Sequence, residues 1–199
     1  MKHSPFLFAA ILSIYLAPVQ SSNGDFQEFN DYINKSISKA NIAGMSIAIV
    51  SGDSNLFAQG YGYSDIQTKE PFTPETVMNI ASISKTFVGV ALMHLVEKGL
   101  IRLDDDVNNF LPFKVLNPHL PESIITPRHL MSHSSGIQDD QKVYLLSYHY
   151  GGDSPTPLGE FLADYLSPDG THYSKKNFTK SKPGKKFVYS NIGAGLAGY

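Results

Sequence analysis

Serine three residues ahead of lysine occurs twice in the 199-residue chain, as Ser36-Ile37-Ser38-Lys39 and as Ser82-Ile83-Ser84-Lys85. On a helix that spacing sets a hydroxyl one turn from an amine. A neutral amine beside a serine hydroxyl is an activated nucleophile–base pair for acyl transfer. With 22 serines and 14 lysines, about 1.5 such pairs arise by chance. Tyrosine two residues ahead of asparagine also occurs twice, as Tyr32-Ile33-Asn34 and Tyr189-Ser190-Asn191, against about 0.6 expected at random. His129 and His133 have the i, i+4 spacing of zinc ligands, but no acidic third ligand accompanies them, so no metal is expected. Gly60-Tyr61-Gly62 reads as a strand feature rather than a phosphate loop, and Gly-x-Ser-x-Gly is absent. Surroundings must therefore separate chemistry from coincidence.

The first Ser-x-x-Lys copy shares a helix face with Tyr32, but that face flanks the apolar stripe and borders water. Lys39 falls in the last turn, where the helix dipole favours an ammonium. The second copy is different. Between Glu75 and Glu97 the only formal charge is Lys85, and residues 86–96 are apolar nearly all round, as a buried helix requires. Lys85 falls in the first turn of that helix, beside the positive dipole end and away from bulk water, and both surroundings disfavour a cation. Ser82 at the helix start can also offer its own backbone N–H to a developing oxyanion. The alternative is structural: Ser82 a plain N-cap, Lys85 snorkelling to water.

The elements that must position these groups follow from periodicity and turn signals. Phe26, Phe29, Ile33, Ile37 and Ala40 form one stripe of an amphipathic helix over residues 25–40. Residues 45–50 read as a buried strand, and Ser51-Gly52-Asp53-Ser54 as a hairpin turn into a second strand over 56–63. Pro71 and Pro74 mark a loop, and a strong helix over 82–98 closes at Gly99. Asp104-Asp105-Asp106 cap a short helix. Thr126-Pro127 and Thr156-Pro157 each supply an N-cap and first residue. A small-residue helix starts at Asn191.

Composition bounds the class. The chain is 42% hydrophobic and 17% charged, enough to bury a core. The basic start and apolar stretch of residues 1–21 read as a secretory signal too short for a stable membrane span, so export to a secreted, periplasmic or luminal location is expected. The remainder, 22–199, reads as one domain. There is no cysteine, hence no disulfide or thiolate chemistry. Two sequons, at Asn34 and Asn177, matter only in a eukaryotic host. Residues 1–170 carry 10 Lys+Arg against 18 Asp+Glu, whereas residues 171–199 carry six lysines and no acid. That lysine-rich stretch is either a solvated loop or a device for steering an anionic ligand. Two arginines in the whole chain argue against a nucleic-acid partner.

Taken together and in order, several segments resemble the serine β-lactamase and penicillin-binding-protein superfamily, nearest its class C and esterase-like branch. They are residues 42–50, Gly60-Tyr61-Gly62, Ile80-Ala81-Ser82-Ile83-Ser84-Lys85-Thr86-Phe87, residues 99–105, residues 125–136, and Pro183-Gly184 leading into Tyr189-Ser190-Asn191. The resemblance implies an α+β, β-lactamase/transpeptidase-like fold: a helical region plus an N-terminal helix and a β-hairpin of an antiparallel sheet. It implies that Ser82 is the acylated nucleophile, that Lys85 with Tyr189 relays its proton, and that Asn191 positions Lys85 and the substrate. No cofactor is implied, and the partner is a small-molecule or peptide substrate: a β-lactam, a D-alanyl peptide, an ester or another peptide.

The family's third motif, a Lys- or His-led tripeptide ending in Gly on a late strand, is not found after Tyr189. The sequence is therefore expected to be the front part of such an enzyme, with the later strands of the sheet missing. Three readings follow: part of a serine hydrolase, a short inactive member serving as a binding or regulatory module, or a fragment that folds poorly.

Overall fold

A computed structural model describes residues 26–149 and 151–199; the expected export signal lies outside them. Contacts divide the chain at Ala81–Ser82 into two units, taken in turn.

The first unit begins with α1, Gln27–Ala40, closed by Asn41 in the left-handed conformation at φ 54°. Its stripe of Phe26, Phe29, Ile33 and Ile37 packs on Phe57, Tyr61, Met45, Ile47 and Ile49, while Ala40 is exposed. β1, Gly44–Ser51, pairs antiparallel with β2, Ser54–Asp65, in the register Ile47 opposite Gln59 and Ile49 opposite Phe57. Phe57 packs against Phe26, tilted, and Phe29, edge to face, with ring centroids 4.7 and 5.6 Å away.

Two expectations change here. β1 is half-buried rather than buried, with Val50 exposed, because α1 covers only the Met45, Ile47 and Ile49 face. The expected loop at Pro71 includes β3, Glu70–Pro71, which pairs with β2 through Tyr63 opposite Pro71. An edge position asks no N–H of Pro71, so proline is tolerated there.

The Gly60-Tyr61-Gly62 strand feature now has a physical reason. A Cβ on Gly60 would meet the Phe72 carbonyl oxygen at 2.0 Å, and one on Gly62 (φ 72°) the Ala43 oxygen at 2.3 Å. Only glycine lets the backbones approach so closely. Between them Tyr61 is buried and donates its hydroxyl to Asn30 Oδ1 at 2.5 Å.

The second unit holds α2, Ser84–Glu97; α3, Pro127–Met131; α4, Gln141–Tyr144; α5, Leu158–Leu166; and α6, Asn191–Gly198. α2 ends as expected: Gly99 takes φ 68°, and Leu100 N–H reaches back to the Leu95 carbonyl at 3.0 Å. Asp106 caps a 3₁₀ turn, Val107–Asn109, by accepting from Asn108 N–H. Thr126 caps α3 in a reciprocal box with His129. The Thr156-Pro157 start is displaced: Pro157 has ψ 140°, so α5 begins at Leu158 without a side-chain cap.

The core gathers Val107, Val115, Ile125, Leu130 and Ile137 with Leu162, Tyr165 and Leu166 of α5, Phe178, and Ile192 and Leu196 of α6. Tyr165, fully buried, donates to the Gln138 carbonyl at 2.9 Å and accepts from Asp140 N–H at 2.7 Å. Burial pushes its phenol up to about 12. Asn177, the second sequon, is a bracing residue: it is 1% exposed and its amide donates to the Tyr165 and His172 carbonyls.

The α2 helix departs from expectation. Only Leu92 is buried along it; Val90 is 70% and Met93 46% exposed. Within this unit it packs chiefly on α6, where Val88 meets Gly198, and on Met131, which meets Gly89. Another flank opens on a groove of about 680 Å³ lined by Gly89, Val90, Met93, Leu103, Arg128 and Met131.

Candidate active site

Ser82 sits in the middle of a 3₁₀ turn, Ala81–Ile83, that runs directly into α2. Ala81, just before it, is held at φ 46°. That conformation places Cβ against the following carbonyl and costs a non-glycine residue about 1–2 kcal/mol. Asn79 Oδ1 accepts the Ala81 N–H at 2.6 Å and helps hold the turn. Ser82 is exposed, and its N–H is one of the first amides of a helical segment, which lack intrahelical acceptors.

Lys85, one turn on, donates from Nζ to Ser82 Oγ at 3.2 Å. It is half-buried rather than removed from water, because α2 is itself half-open. Tyr189, 107 residues away in sequence, donates its hydroxyl to the same Ser82 Oγ at 2.9 Å. Lys85 Nζ also stands 5.3 Å from the centre of the Tyr189 ring, within cation–π range. Burial pushes the Tyr189 phenol up; the hydrogen bond to Ser82 and the adjacent Lys85 cation pull it down further, so it lies below its ordinary value of 10.0. One hydroxyl thus receives two groups able to exchange its proton.

The turn that delivers Tyr189 is pinned along its length. Gly184 N–H bonds to the Ser134 carbonyl at 2.8 Å and Val188 N–H to the His133 carbonyl at 2.7 Å. His133, itself at φ 50°, stacks on the Tyr189 ring at 4.4 Å between centroids and accepts Ser190 N–H at Nδ1. Burial, then the Lys85 charge, hold the His133 imidazole below its usual range, which keeps Nδ1 free to accept. Asn191 turns its amide NH₂ toward Asp139, with Nδ2 to Oδ2 at 3.0 Å, and no hydrogen bond joins it to Lys85 among the described residues.

Of the expected residues, Ser82, Lys85 and Tyr189 are therefore brought together, with Asn191 two residues beyond the phenol on the N-terminus of α6. The competing Ser36 copy lies on the outer surface of α1, where Ser36 Oγ bonds back to the Tyr32 carbonyl at 2.8 Å and Tyr32 is 67% exposed. The two histidines at zinc spacing serve the backbone instead: His129 closes the α3 capping box and His133 carries the Ser190 turn. The six lysines of residues 171–199 are all exposed, and none forms an ion pair among the described residues.

Sequence reasoning missed Asp139 and the backbone roles of His133. Asp139 is half-buried and accepts from Ser190 Oγ at 2.6 Å, Asn191 N–H at 2.8 Å and Ile192 N–H at 3.2 Å, besides the Asn191 amide. The available signal was the pair Asp139-Asp140. Asp140 caps α4 by accepting from Lys142 N–H, so one of the two acids is used locally and its neighbour is left for a distant partner.

The Beta-lactamase family profile matches residues 26–199. Protein flp of Staphylococcus aureus strain MRSA252 is 31% identical over 180 residues, covering 89% of this chain and 33% of that protein. The octameric penicillin-binding protein homologue from Pyrococcus abyssi superposes with a TM-score of 0.66 at 32% identity, over 87% of this chain and 38% of the other. A class C β-lactamase solved in complex with cefoxitin gives 0.56 at 27% identity, over 85% and 41%. The chain thus spans about a third of the length of the curated relative and about two fifths of these solved chains. A profile match over all the described residues, in a fold shared with solved members, makes this chain a member of the Beta-lactamase family.

Proposed function

We propose that the chain carries the nucleophile half of a serine hydrolase or acyl-transferase that works through an acyl-enzyme on Ser82. The observation that carries this reading is the convergence of Lys85 Nζ and Tyr189 hydroxyl on one serine oxygen, at 3.2 and 2.9 Å.

In the proposed reaction Ser82 Oγ attacks the carbonyl carbon of an amide, an ester or a β-lactam. Its proton passes to the Lys85–Tyr189 pair as the C–O bond forms. When the tetrahedral adduct collapses, the bond to the leaving nitrogen or oxygen breaks and that atom takes the proton back. Water, or another acceptor, then releases the acyl group by the reverse sequence. The Ser82 backbone N–H, one of the first amides of its helical segment, would serve as one oxyanion donor; losing a donor of this type typically costs about 10²–10³ in rate.

Turnover of a chromogenic ester and a chromogenic cephalosporin by the chain and by its Ser82→Ala variant tests the proposal. Hydrolysis of either substrate that disappears in the variant supports it. Equal hydrolysis by both would show that Ser82 is not the nucleophile.

A further inference from the structure

The catalytic reading leaves one carboxylate unexplained. Asp139 gathers four donors from three consecutive residues: Ser190 Oγ, Asn191 N–H, Asn191 Nδ2 and Ile192 N–H. Those residues follow Tyr189 directly and open α6, whose first turn Ser190 also caps by accepting Gly193 N–H at 2.8 Å. A carboxylate at this place completes the unsatisfied first amides of the helix and sits at the positive end of its dipole.

Capping alone does not require the fourth bond. An ionised carboxylate is acceptor-only, so it can receive the NH₂ of the Asn191 amide but never its oxygen. It thereby fixes which way round the amide lies and leaves Asn191 Oδ1, which has no partner among the described residues, as the end able to accept from Lys85 or a substrate N–H.

We propose that Asp139 is a positioning residue of this site, holding the Tyr189 phenol on Ser82 and setting the Asn191 amide with its oxygen as the working atom. This deepens the proposed function and rests on it for the identity of the site. Asp139 acts through the turn, without touching the nucleophile. Its charge also pushes the Tyr189 phenol up, against the larger effects of Ser82 and Lys85.

The decisive variant is Asp139→Asn, which keeps the shape but replaces a fixed acceptor with an amide that can present either end. Two readouts separate positioning from simple helix stability. The first is the rate at which a fluorophosphonate modifies Ser82, followed against pH in the intact chain. The second is the ¹³Cζ tyrosine resonance of Tyr189, titrated against pH without any reagent. The groups that bear on that phenol are Lys85, His133, Tyr144 and Asp139 itself.

With Asp139→Asn the modification rate falls at least tenfold, and the Tyr189 midpoint moves up, because a phenol no longer held on Ser82 loses the lowering effects of Ser82 and Lys85, which outweigh the removed Asp139 charge. Asp139→Glu restores part of both. Ser190→Ala, which breaks one of the same bonds but keeps the carboxylate, lowers the melting temperature and leaves the midpoint in place. A Tyr189 midpoint unchanged in Asp139→Asn, with a modification rate within twofold of the parent, overturns the proposal. If the parent chain's Ser82 is inert to the reagent, the functional reading fails, and the resonance still decides whether Asp139 governs Tyr189.

Discussion

Among single residues, the surroundings of one hydroxyl set it apart. A free serine is a poor nucleophile, and Ser36 and Ser84 remain so: Ser36 bonds its own helix, and Ser84, the first residue of α2, makes no side-chain hydrogen bond to Lys85 or Tyr189 among the described residues. Ser82 alone faces both an amine and a phenol. Because the Tyr189 phenol is pulled below its ordinary value by Ser82 and Lys85, the base form grows in as pH rises through a midpoint under 10.0. Modification of Ser82 is therefore expected to rise with pH to a plateau. Tyr189→Phe should lower the plateau rate by about 10²–10⁴, the usual contribution of a general base. A Tyr189→Phe chain that keeps the parent rate and profile would remove the phenol from the mechanism. Lys85→Arg should abolish modification, since a guanidinium does not release its proton; retained reactivity would make Lys85 a fixed cation only.

Among the elements, the site joins a 3₁₀ turn to a loop that backbone hydrogen bonds pin to His133 and Ser134 and that reaches Ser82 through the Tyr189 hydroxyl, and the sequence disclosed these parts unequally. α1, the β1–β2 hairpin, the Asp106 cap, the Thr126 cap and α6 were legible because each has a local cause: a stripe, a turn residue, a capping side chain. β3 was not, since two residues carry no period and a proline argues against a strand. The openness of α2 was hidden for another reason: hydropathy says what a helix can bury, whereas neighbours decide what it does bury. Ser82, Lys85 and Tyr189 were nameable from motif order, while the Asp139-Asp140 pair did not by itself say what Asp139 holds, because its partners lie more than 50 residues away. Close strand approach gives a prediction at this scale. Gly60→Ala should destabilise the first unit by about 1–3 kcal/mol, as overpacking does, because its Cβ would lie 2.0 Å from the Phe72 oxygen. Urea unfolding of the two chains measures it, and an unchanged midpoint would show that β2 can move away from Phe72 freely.

For the molecule as a whole, two half-buried imidazoles link stability to pH. His129 and His133 each accept a backbone N–H at Nδ1, from Thr126 and Ser190, and burial holds both below 6.5. In the unfolded chain they protonate first, so that state binds more protons over the window just below about 6.5. Stability should be full above this window and fall as pH drops through it toward the depressed native values. Asp104, held low by its bidentate pair with Arg128, and Asp164, held low by His172 and Thr171, extend the loss in the same direction below 3.8. Melting temperature against pH checks this. His133→Asn, whose amide oxygen can replace Nδ1 as acceptor, should flatten part of the slope, and a slope unchanged in that variant would assign the effect elsewhere.

If Ser82 is the nucleophile, one serine of the 22 in this chain reacts apart from the rest, and a single measurement shows it. The intact chain is treated with a fluorophosphonate, digested, and the modified peptide located by mass spectrometry. The account predicts one adduct, on Ser82, formed faster as pH rises and lost in Tyr189→Phe and Lys85→Arg. An adduct on Ser36 or Ser84 with Ser82 unmodified, or equal labelling of several serines, would contradict it.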